Sequence, residues 1–128
     1  MRKHLFILAA LLFFGLANLQ AQDKMYENKP ECKIHTPNAF TPNDDGVNDF
    51  FNLSFSENCE SLEYDFKIFD RWGRLVFESD EVTEGWDGTY DGQQLKEGVY
   101  LWQVSVVWEN DVNAKQPVTK KGTLVLIR

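Results

Sequence analysis

Residues 62–79, LEYDFKIFDRWGRLVFES, decide the fold class of this chain. In the first half, apolar and charged side chains alternate with a period of two, which is typical of a strand with one buried face. The apolar positions are Leu62, Tyr64, Phe66 and Ile68, and the charged ones are Glu63, Asp65 and Lys67. Gly73 can adopt positive φ, so the chain can reverse before LVFES resumes in extended form. The stretch predicts a β-hairpin.

A second hairpin is predicted nearer the C-terminus. VYLWQVSVVWEN, residues 99–110, is the longest strand signal, and both of its faces are largely apolar near its start, which favours a central position in the sheet. TKKGTLVLIR, residues 119–128, is predicted to pair with it. One face carries Tyr100, Trp102, Val104, Val106 and Trp108, and the other carries Val99, Leu101, Gln103, Ser105 and Val107.

The remaining segments also favour strands, because no stretch of a dozen residues has a convincing helical period. KIHTPNAF (33–40) and FFNLSFS (50–56) are predicted short strands, and residues 83–98 contain four glycines in a succession of tight turns. The sequence therefore predicts an all-β domain over residues 32–128: a two-sheet sandwich of about seven antiparallel strands.

The N-terminus has the pattern of an export signal. A basic start and an apolar run too short for a confident membrane span predict a signal peptide over residues 1–21, cut after Ala21. Residues 22–31 are polar and aperiodic and are predicted to form a short tether. The formal net charge of −7 disfavours nucleic acid as a partner, since phosphate binding needs a basic face.

The two cysteines, Cys32 and Cys59, form an even pair in a chain predicted to be exported, which favours a disulfide over free thiols. A catalytic cysteine is disfavoured, because His35 is the only histidine after the predicted signal and no base–orienter set accompanies it. The serines lack a G-x-S-x-G elbow. The chain is expected not to be an enzyme.

PNDDGVND, residues 42–49, offers oxygen ligands for a hard cation such as Ca²⁺. Asn43, Asp45 and Asp49, with Gly46 at the sharp turn, match part of a calcium-loop register. Thr41 and Asn52 occupy places where that register has carboxylates. An Asx-rich turn with Gly46 at positive φ is the favoured alternative. Calcium is thus a hypothesis, and no cofactor is expected to be required.

The tryptophans and paired aspartates allow a second class of function. Asp87 and Asp91 could suggest glycoside chemistry, but each stands beside a glycine in a predicted turn. Four tryptophans could stack on sugars, although a place in the core is favoured: Trp72, Trp86, Trp102 and Trp108. Together with the acidic loop they leave open an extracellular calcium-dependent adhesion or glycan-binding module.

Four phrases in order resemble one known family. They are PNAFTPNDDGVNDFF (37–51), FKIFDRWGRLVFES (66–79), GWDGTYDGQQLKEGVYLWQV (85–104) and KKGTLVLIR (120–128). The set resembles the gliding-motility-associated C-terminal domain, also called the type B C-terminal sorting domain of the type IX secretion system of Bacteroidetes-type bacteria. The resemblance implies an immunoglobulin-like β-sandwich that acts as an export address. Such proteins pass through the periplasm to the cell surface or the medium, and the secretion machinery reads the domain.

The terminal strand is the expected recognition element, with Lys120, Lys121, Gly122 and Arg128 as its residues. An extended segment at a sheet edge can be read by strand addition. The three basic residues stand out in an acidic chain and could steer docking, or the lysines could only keep an edge strand soluble. Family members usually carry a large cargo, whereas only residues 22–31 separate the predicted cut from Cys32. This predicts a small surface protein, a module of the apparatus, or the remnant of a longer gene.

Overall fold

The computed structural model describes residues 30–112 and 114–128, which form nine β-strands and no helix. The strands are β1 (Ile34–His35), β2 (Ala39–Phe40), β3 (Ser54–Phe55), β4 (Ser61–Phe69), β5 (Leu75–Ser79), β6 (Thr89–Tyr90), β7 (Gln93–Gln94), β8 (Gly98–Trp108) and β9 (Pro117–Leu126). The predicted signal peptide and nearly all of the predicted tether lie outside the described residues. In the part that is described, no helix could cross a membrane.

The main sheet has five strands in the order β2-β9-β8-β4-β5. Both predicted hairpins are confirmed: β4 pairs antiparallel with β5, and β8 pairs antiparallel with β9 from Gly98↔Leu126 to Val107↔Pro117. Strand β8 lies at the centre, between β4 and β9, as its two largely apolar faces predicted.

The inner face of this sheet forms the core. For β4 it is the face that the alternation predicted, except at Leu62, which is 54% exposed where the register shifts between Ser61 and Glu63. The fully or nearly buried side chains of the inner face come from every second position of the long strands: Tyr64, Phe66, Ile68, Tyr100, Trp102, Val104, Val106, Trp108, Leu124 and Leu126. The intervening positions point away from the core. Val99 and Leu101, for example, are 54% and 44% exposed. Burial of the inner face supplies the main driving force for folding.

Shorter elements cover that face. The β1–β3 ribbon places Phe55 edge-on against Trp108, with ring centroids 4.6 Å apart. A second two-stranded ribbon, β6–β7, turns at Asp91 and Gly92, whose φ angles of 53° and 76° fit a type I′ hairpin turn. The result is a two-layer all-β sandwich.

The observed strands differ from the sequence prediction in number and in one orientation. KIHTPNAF splits at Pro37 into β1, in the small ribbon, and β2, in the main sheet. Proline has no amide hydrogen to donate to a neighbouring strand, which favours a break in the strand at this position. Strand β2 instead pairs in parallel with the end of β9, Ala39↔Val125 and Phe40↔Leu126.

Two features confirm the immunoglobulin-like fold class. The order β9-β8-β4-β5 corresponds to the G-F-C-C′ order of a variable-type domain. Near the start of β8, the Tyr100 hydroxyl donates a 2.7 Å hydrogen bond to the carbonyl of Lys96, four residues upstream. This is the tyrosine corner of such sandwiches.

The predicted disulfide is confirmed. Cys32 and Cys59 are bonded, with their Cα atoms 5.8 Å apart, and the bond joins the segment before β1 to the loop between β3 and β4. The backbone amide of Cys32 also donates a 2.5 Å hydrogen bond to the buried carboxylate of Asp111. The bridge and this contact tie the start of the described domain to the end of β8.

Candidate recognition surface at the terminal strand

The last residue, Arg128, joins the loop after β2 to both ends of the β6–β7 ribbon. Its guanidinium donates hydrogen bonds to the carbonyl oxygens of Pro42 (3.3 Å), Gly88 (3.2 Å) and Leu95 (2.9 and 3.2 Å). Its backbone amide donates to a Glu97 carboxylate oxygen at 2.6 Å. The chain direction at the end of β9 is therefore fixed by contacts with residues far away in sequence.

The hydrogen bonds of the Arg128 guanidinium are called the Arg128 clamp. Next to it, aromatic side chains from the motifs at residues 37–51 and 85–104 pack together in the core. Phe40 lies 5.9 Å from Phe51 and 5.4 Å from Trp86 between ring centroids, and Trp86 lies edge-on to Tyr100 at 5.1 Å. The backbones of Phe51 and Trp86 exchange two hydrogen bonds, of 2.8 and 3.1 Å. The flanking phenylalanines of the acidic loop thus anchor it to the GWDG turn.

The acidic loop is organised around the Asp49 carboxylate. One oxygen accepts hydrogen bonds from the amides of Asn43 (3.1 Å) and Asp44 (3.0 Å), and the other accepts one from Gly46 (2.8 Å). Asn43 and Asp45 each cap an amide two residues on. Gly46 has φ +82°. This geometry is that of the Asx-rich turn.

The calcium interpretation of Asn43, Asp45 and Asp49 stays a hypothesis. Across residues 30–112 and 114–128, no three His, Cys, Asp or Glu side chains are grouped so that they could hold a metal ion. The Asp49 oxygens face the positive ends of amide dipoles, and a cation would have to compete with those dipoles for the same lone pairs.

The turn between β4 and β5 is rigid, and it presents an aromatic side chain to solvent. The buried Asp70 carboxylate accepts 2.9 Å hydrogen bonds from the amides of Trp72 and Arg74, and a 3.1 Å bond from Arg74 Nε. Gly73 has φ +84°, which closes the turn. Trp72 projects outward and is 83% exposed.

These partners favour the ionised form of Asp70. Burial opposes the charged form, but the amides of Arg74 and Trp72 and the Arg74 guanidinium outweigh burial and lower the pKa of Asp70.

Strand β9 has an open edge along most of its length. Strand β2 pairs only with its last residues, where the amides of Val125 and Ile127 donate to Asn38 (2.9 Å) and Phe40 (3.1 Å). Backbone groups of an antiparallel strand alternate in direction, so those of Thr119, Lys121 and Thr123 also point away from β8. On the side of β9 that faces away from β8, no strand among the described residues pairs with these three positions.

The four predicted recognition residues occupy different environments. Lys120 reaches across the inner face and donates a 3.2 Å hydrogen bond to the carbonyl of Ile34. Lys121 lies on the outer face, beside the open edge. Gly122 lies under Trp102, where an added Cβ would be 2.6 Å from the indole ring. Arg128 is seven residues beyond Lys121, about 23 Å along an extended strand, so the four do not form one patch.

Comparison with known proteins assigns the family. The family model of the CHU_C type IX secretion signal domain matches residues 34–126, from the start of β1 to the end of β9. The chain belongs to the CHU_C type IX secretion signal domain family. This confirms the resemblance seen in the sequence motifs. No curated protein and no solved structure matches the chain.

The CHU_C domain has a basic cluster that sequence reasoning missed. Arg71 and Arg74 line a groove beside Tyr100, and Arg128 is hydrogen-bonded to Leu95 and Glu97 of the same groove. Burial and the charge of Asp70 raise the pKa of the Tyr100 phenol, and the three arginines oppose that rise. These arginines come from the β4–β5 turn and from the chain end, so no local charge run marks them. Only the pairing of β8 with both β4 and β9 brings them together.

Three of the four tryptophans of the CHU_C domain are core residues. Trp86, Trp102 and Trp108 are 1%, 5% and 1% exposed, which confirms the core interpretation for these three. Trp72 is the exception. A flat sugar-stacking platform of several tryptophans is therefore not formed among the described residues.

Proposed function

We propose that this chain is an exported, non-enzymatic sorting domain whose terminal strand β9 is read by the type IX secretion machinery. Membership of the CHU_C family supports a role as a signal for export to the cell surface or the medium. The finer steps are part of the proposal: residues 1–21 act as a signal peptide, and the domain folds in the periplasm before it crosses the outer membrane.

The single observation that supports β9 as the element read is its open edge. The amides and carbonyls of Thr119, Lys121 and Thr123 form a row that an added strand could pair with, and such main-chain pairing supplies affinity. The Lys121 side chain stands beside the row and could select an acidic neighbour in the added strand.

The Arg128 clamp supports recognition of the folded domain by the secretion machinery, rather than recognition of an unfolded C-terminal segment. Hydrogen bonds to Pro42, Gly88 and Leu95 hold the end of β9 in place. A partner strand would meet a preformed edge, so little ordering entropy would be lost on docking.

Export of a reporter tests the proposal. Residues 22–128, fused after a signal peptide and a folded reporter, should bring the reporter to the surface or the medium of a host with a type IX system. Lys121→Pro removes the outward amide at the open edge and should abolish export, whereas Lys121→Ala keeps the amide, loses only the side-chain contact and should lower export only in part. Circular dichroism of both purified domains checks folding. Export that survives Lys121→Pro in a folded domain would contradict reading through this edge, and absence of export for the wild-type fusion would contradict the sorting role.

A further inference from the structure

A groove lies at the same end of the sandwich as Arg128 but on a different surface from the open edge of β9. It is enclosed by the β4–β5 turn and by residues 94–100, and its volume is about 270 Å³. Arg71, Trp72, Arg74, Lys96 and Tyr100 are among the residues that line it. The proposed function does not use this groove.

The Trp72 side chain is exposed on a turn whose backbone is held by hydrogen bonds. Its indole is 83% exposed, yet its backbone is fixed because its amide and that of Arg74 both donate to Asp70. The Arg71 guanidinium lies 5.7 Å from the ring centroid of Trp72, in the range of a cation–π contact. Tryptophan and arginine are the residues most often responsible for binding energy at protein interfaces, and rigid presentation reduces the entropy lost on binding.

Three cations and two carboxylates line the groove, which gives it a net positive charge, although the chain as a whole carries a net charge of −7. Its two lining carboxylates are already engaged: Asp70 with Arg74 Nε at 3.1 Å, and Glu97 with the Arg128 amide at 2.6 Å. Within the described part of the chain, neither Arg71 nor Lys96 has a carboxylate oxygen within 4.0 Å. These two cations are therefore available to a carboxylate from outside.

An apolar strip continues from the groove onto the outer face of the main sheet. Val99 lines the groove, is 54% exposed, and pairs across strands with Val125, which is 37% exposed. Leu101, 44% exposed, follows on β8. The other half of this face is polar, with Lys67 opposite Gln103 and Asp65 opposite Ser105. A cationic groove beside an apolar strip fits a protein segment with acidic and apolar side chains better than it fits a neutral sugar.

We propose that this groove binds an extended segment of a partner protein in which acidic residues stand beside apolar ones. The carboxylates lie against Arg71 and Lys96, one apolar side chain packs on Trp72, and another packs on Val99. The site is separate from the open edge of β9, so it does not depend on how the secretion machinery reads the domain.

Peptide selection on the purified, oxidised domain tests this site. The probe is a phage-displayed library of random twelve-residue peptides, and the selected peptides are then synthesised and titrated by fluorescence anisotropy. We expect sequences with Asp or Glu next to apolar residues. Binding should weaken about tenfold or more in Trp72→Ala and in Arg71→Glu, and should weaken further as salt is added. Two matched controls should bind as the wild type does: Phe50→Ala, at an aromatic that is 58% exposed, and Lys33→Glu, at an exposed lysine near β1.

Several outcomes would overturn the proposal. These are no enrichment, enriched peptides without acidic residues, and equal affinity for Trp72→Ala and the wild type. A glycan-array signal lost in Trp72→Ala would assign the groove to a sugar instead. Self-association in analytical ultracentrifugation that is lost in Trp72→Ala would assign it to a second copy of the chain.

Discussion

The guanidinium of Arg128 donates a 3.3 Å hydrogen bond to the carbonyl oxygen of Pro42, 86 residues earlier in the chain. The same side chain also bonds Gly88 and Leu95. Arg128 thus joins the loop after β2 to both ends of the β6–β7 ribbon, so its side chain contributes to the stability of the fold.

Arg128→Ala should destabilise the domain. The change leaves the carbonyls of Pro42, Gly88 and Leu95 without their charged donor, and hydrogen bonds to charged groups contribute about 1.5–3 kcal/mol when well shielded. The site is partly open to water, so we expect a loss of about 1–2 kcal/mol in the free energy of unfolding, measured by urea denaturation. Arg128→Lys should recover little, because an ammonium cannot span three acceptors with a planar fork. Lys121→Ala is the control, and an equal loss there would contradict the clamp.

Gly122→Ala should destabilise the domain for a steric reason. An added Cβ would lie 2.6 Å from Cζ2 and 2.8 Å from Cε2 of Trp102, an indole that is 5% exposed and cannot swing away. Overpacking of this kind typically costs about 1–3 kcal/mol. Thermal unfolding should show a melting temperature lower by several degrees. Thr123→Ala, the next residue on the outer face, should be nearly neutral. If Gly122→Ala were as stable as the wild type, β8 and β9 would have to shift locally to make room for the methyl group, and the predicted clash would be contradicted.

Loss of the Cys32–Cys59 bridge should lower stability substantially. The bridge closes a loop with a sequence separation of 27, and the chain-entropy model gives about 3–4 kcal/mol for such a loop. Paired Cys32→Ser and Cys59→Ser changes should lower the urea midpoint, and dithiothreitol should then have no further effect. Intact mass of the unreduced protein checks the bond itself. Two alkylatable thiols in the untreated wild type would contradict it.

Sequence periodicity was sufficient for the main sheet. Period-two alternation in residues 62–68 predicted the buried face of β4, because a strand with one solvent-exposed face alternates apolar and polar side chains. The central place of β8 followed from its two largely apolar faces. The even cysteine pair predicted the bridge. Each of these inferences depends on local pattern or on simple counting.

Other features depend on contacts between distant segments, and local pattern could not reveal them. The parallel pairing of β2 with β9 arises because Pro37 ends one strand and the chain then crosses to the other sheet. The cluster of Arg71, Arg74 and Arg128 exists only after β4, β8 and β9 are in register. Lys120 and Lys121 are adjacent in sequence but point to opposite faces of β9. Their two charges therefore do not form the single basic patch that the sequence suggested.

The acidic loop gives a test of calcium binding. Asp49 accepts amides from Asn43, Asp44 and Gly46, so Asp49→Ala should cost about 1–2 kcal/mol through the turn alone. We expect that loss to be the same in millimolar calcium and in EDTA, as measured by thermal unfolding of wild type and variant in each buffer. A calcium-dependent rise in the wild-type melting temperature that Asp45→Ala abolishes would instead establish a calcium site.

Asp70 should give the domain a characteristic loss of stability in acid. Although burial opposes ionisation, the amides of Arg74 and Trp72 and the Arg74 guanidinium lower the pKa of Asp70 in the folded state. A lowered folded-state pKa contributes stability that is fully present above the unfolded-state pKa of about 3.9 and is lost as the pH falls through the folded-state value. The difference in unfolding free energy between wild type and Asp70→Asn should therefore be constant near neutral pH and should shrink below about pH 4, in urea denaturation repeated across that range. Glu63→Gln, at an exposed position of β4, controls for the change in net charge. A difference that stays constant down to the most acidic folded condition would mean that the charge of Asp70 does not stabilise the turn that presents Trp72.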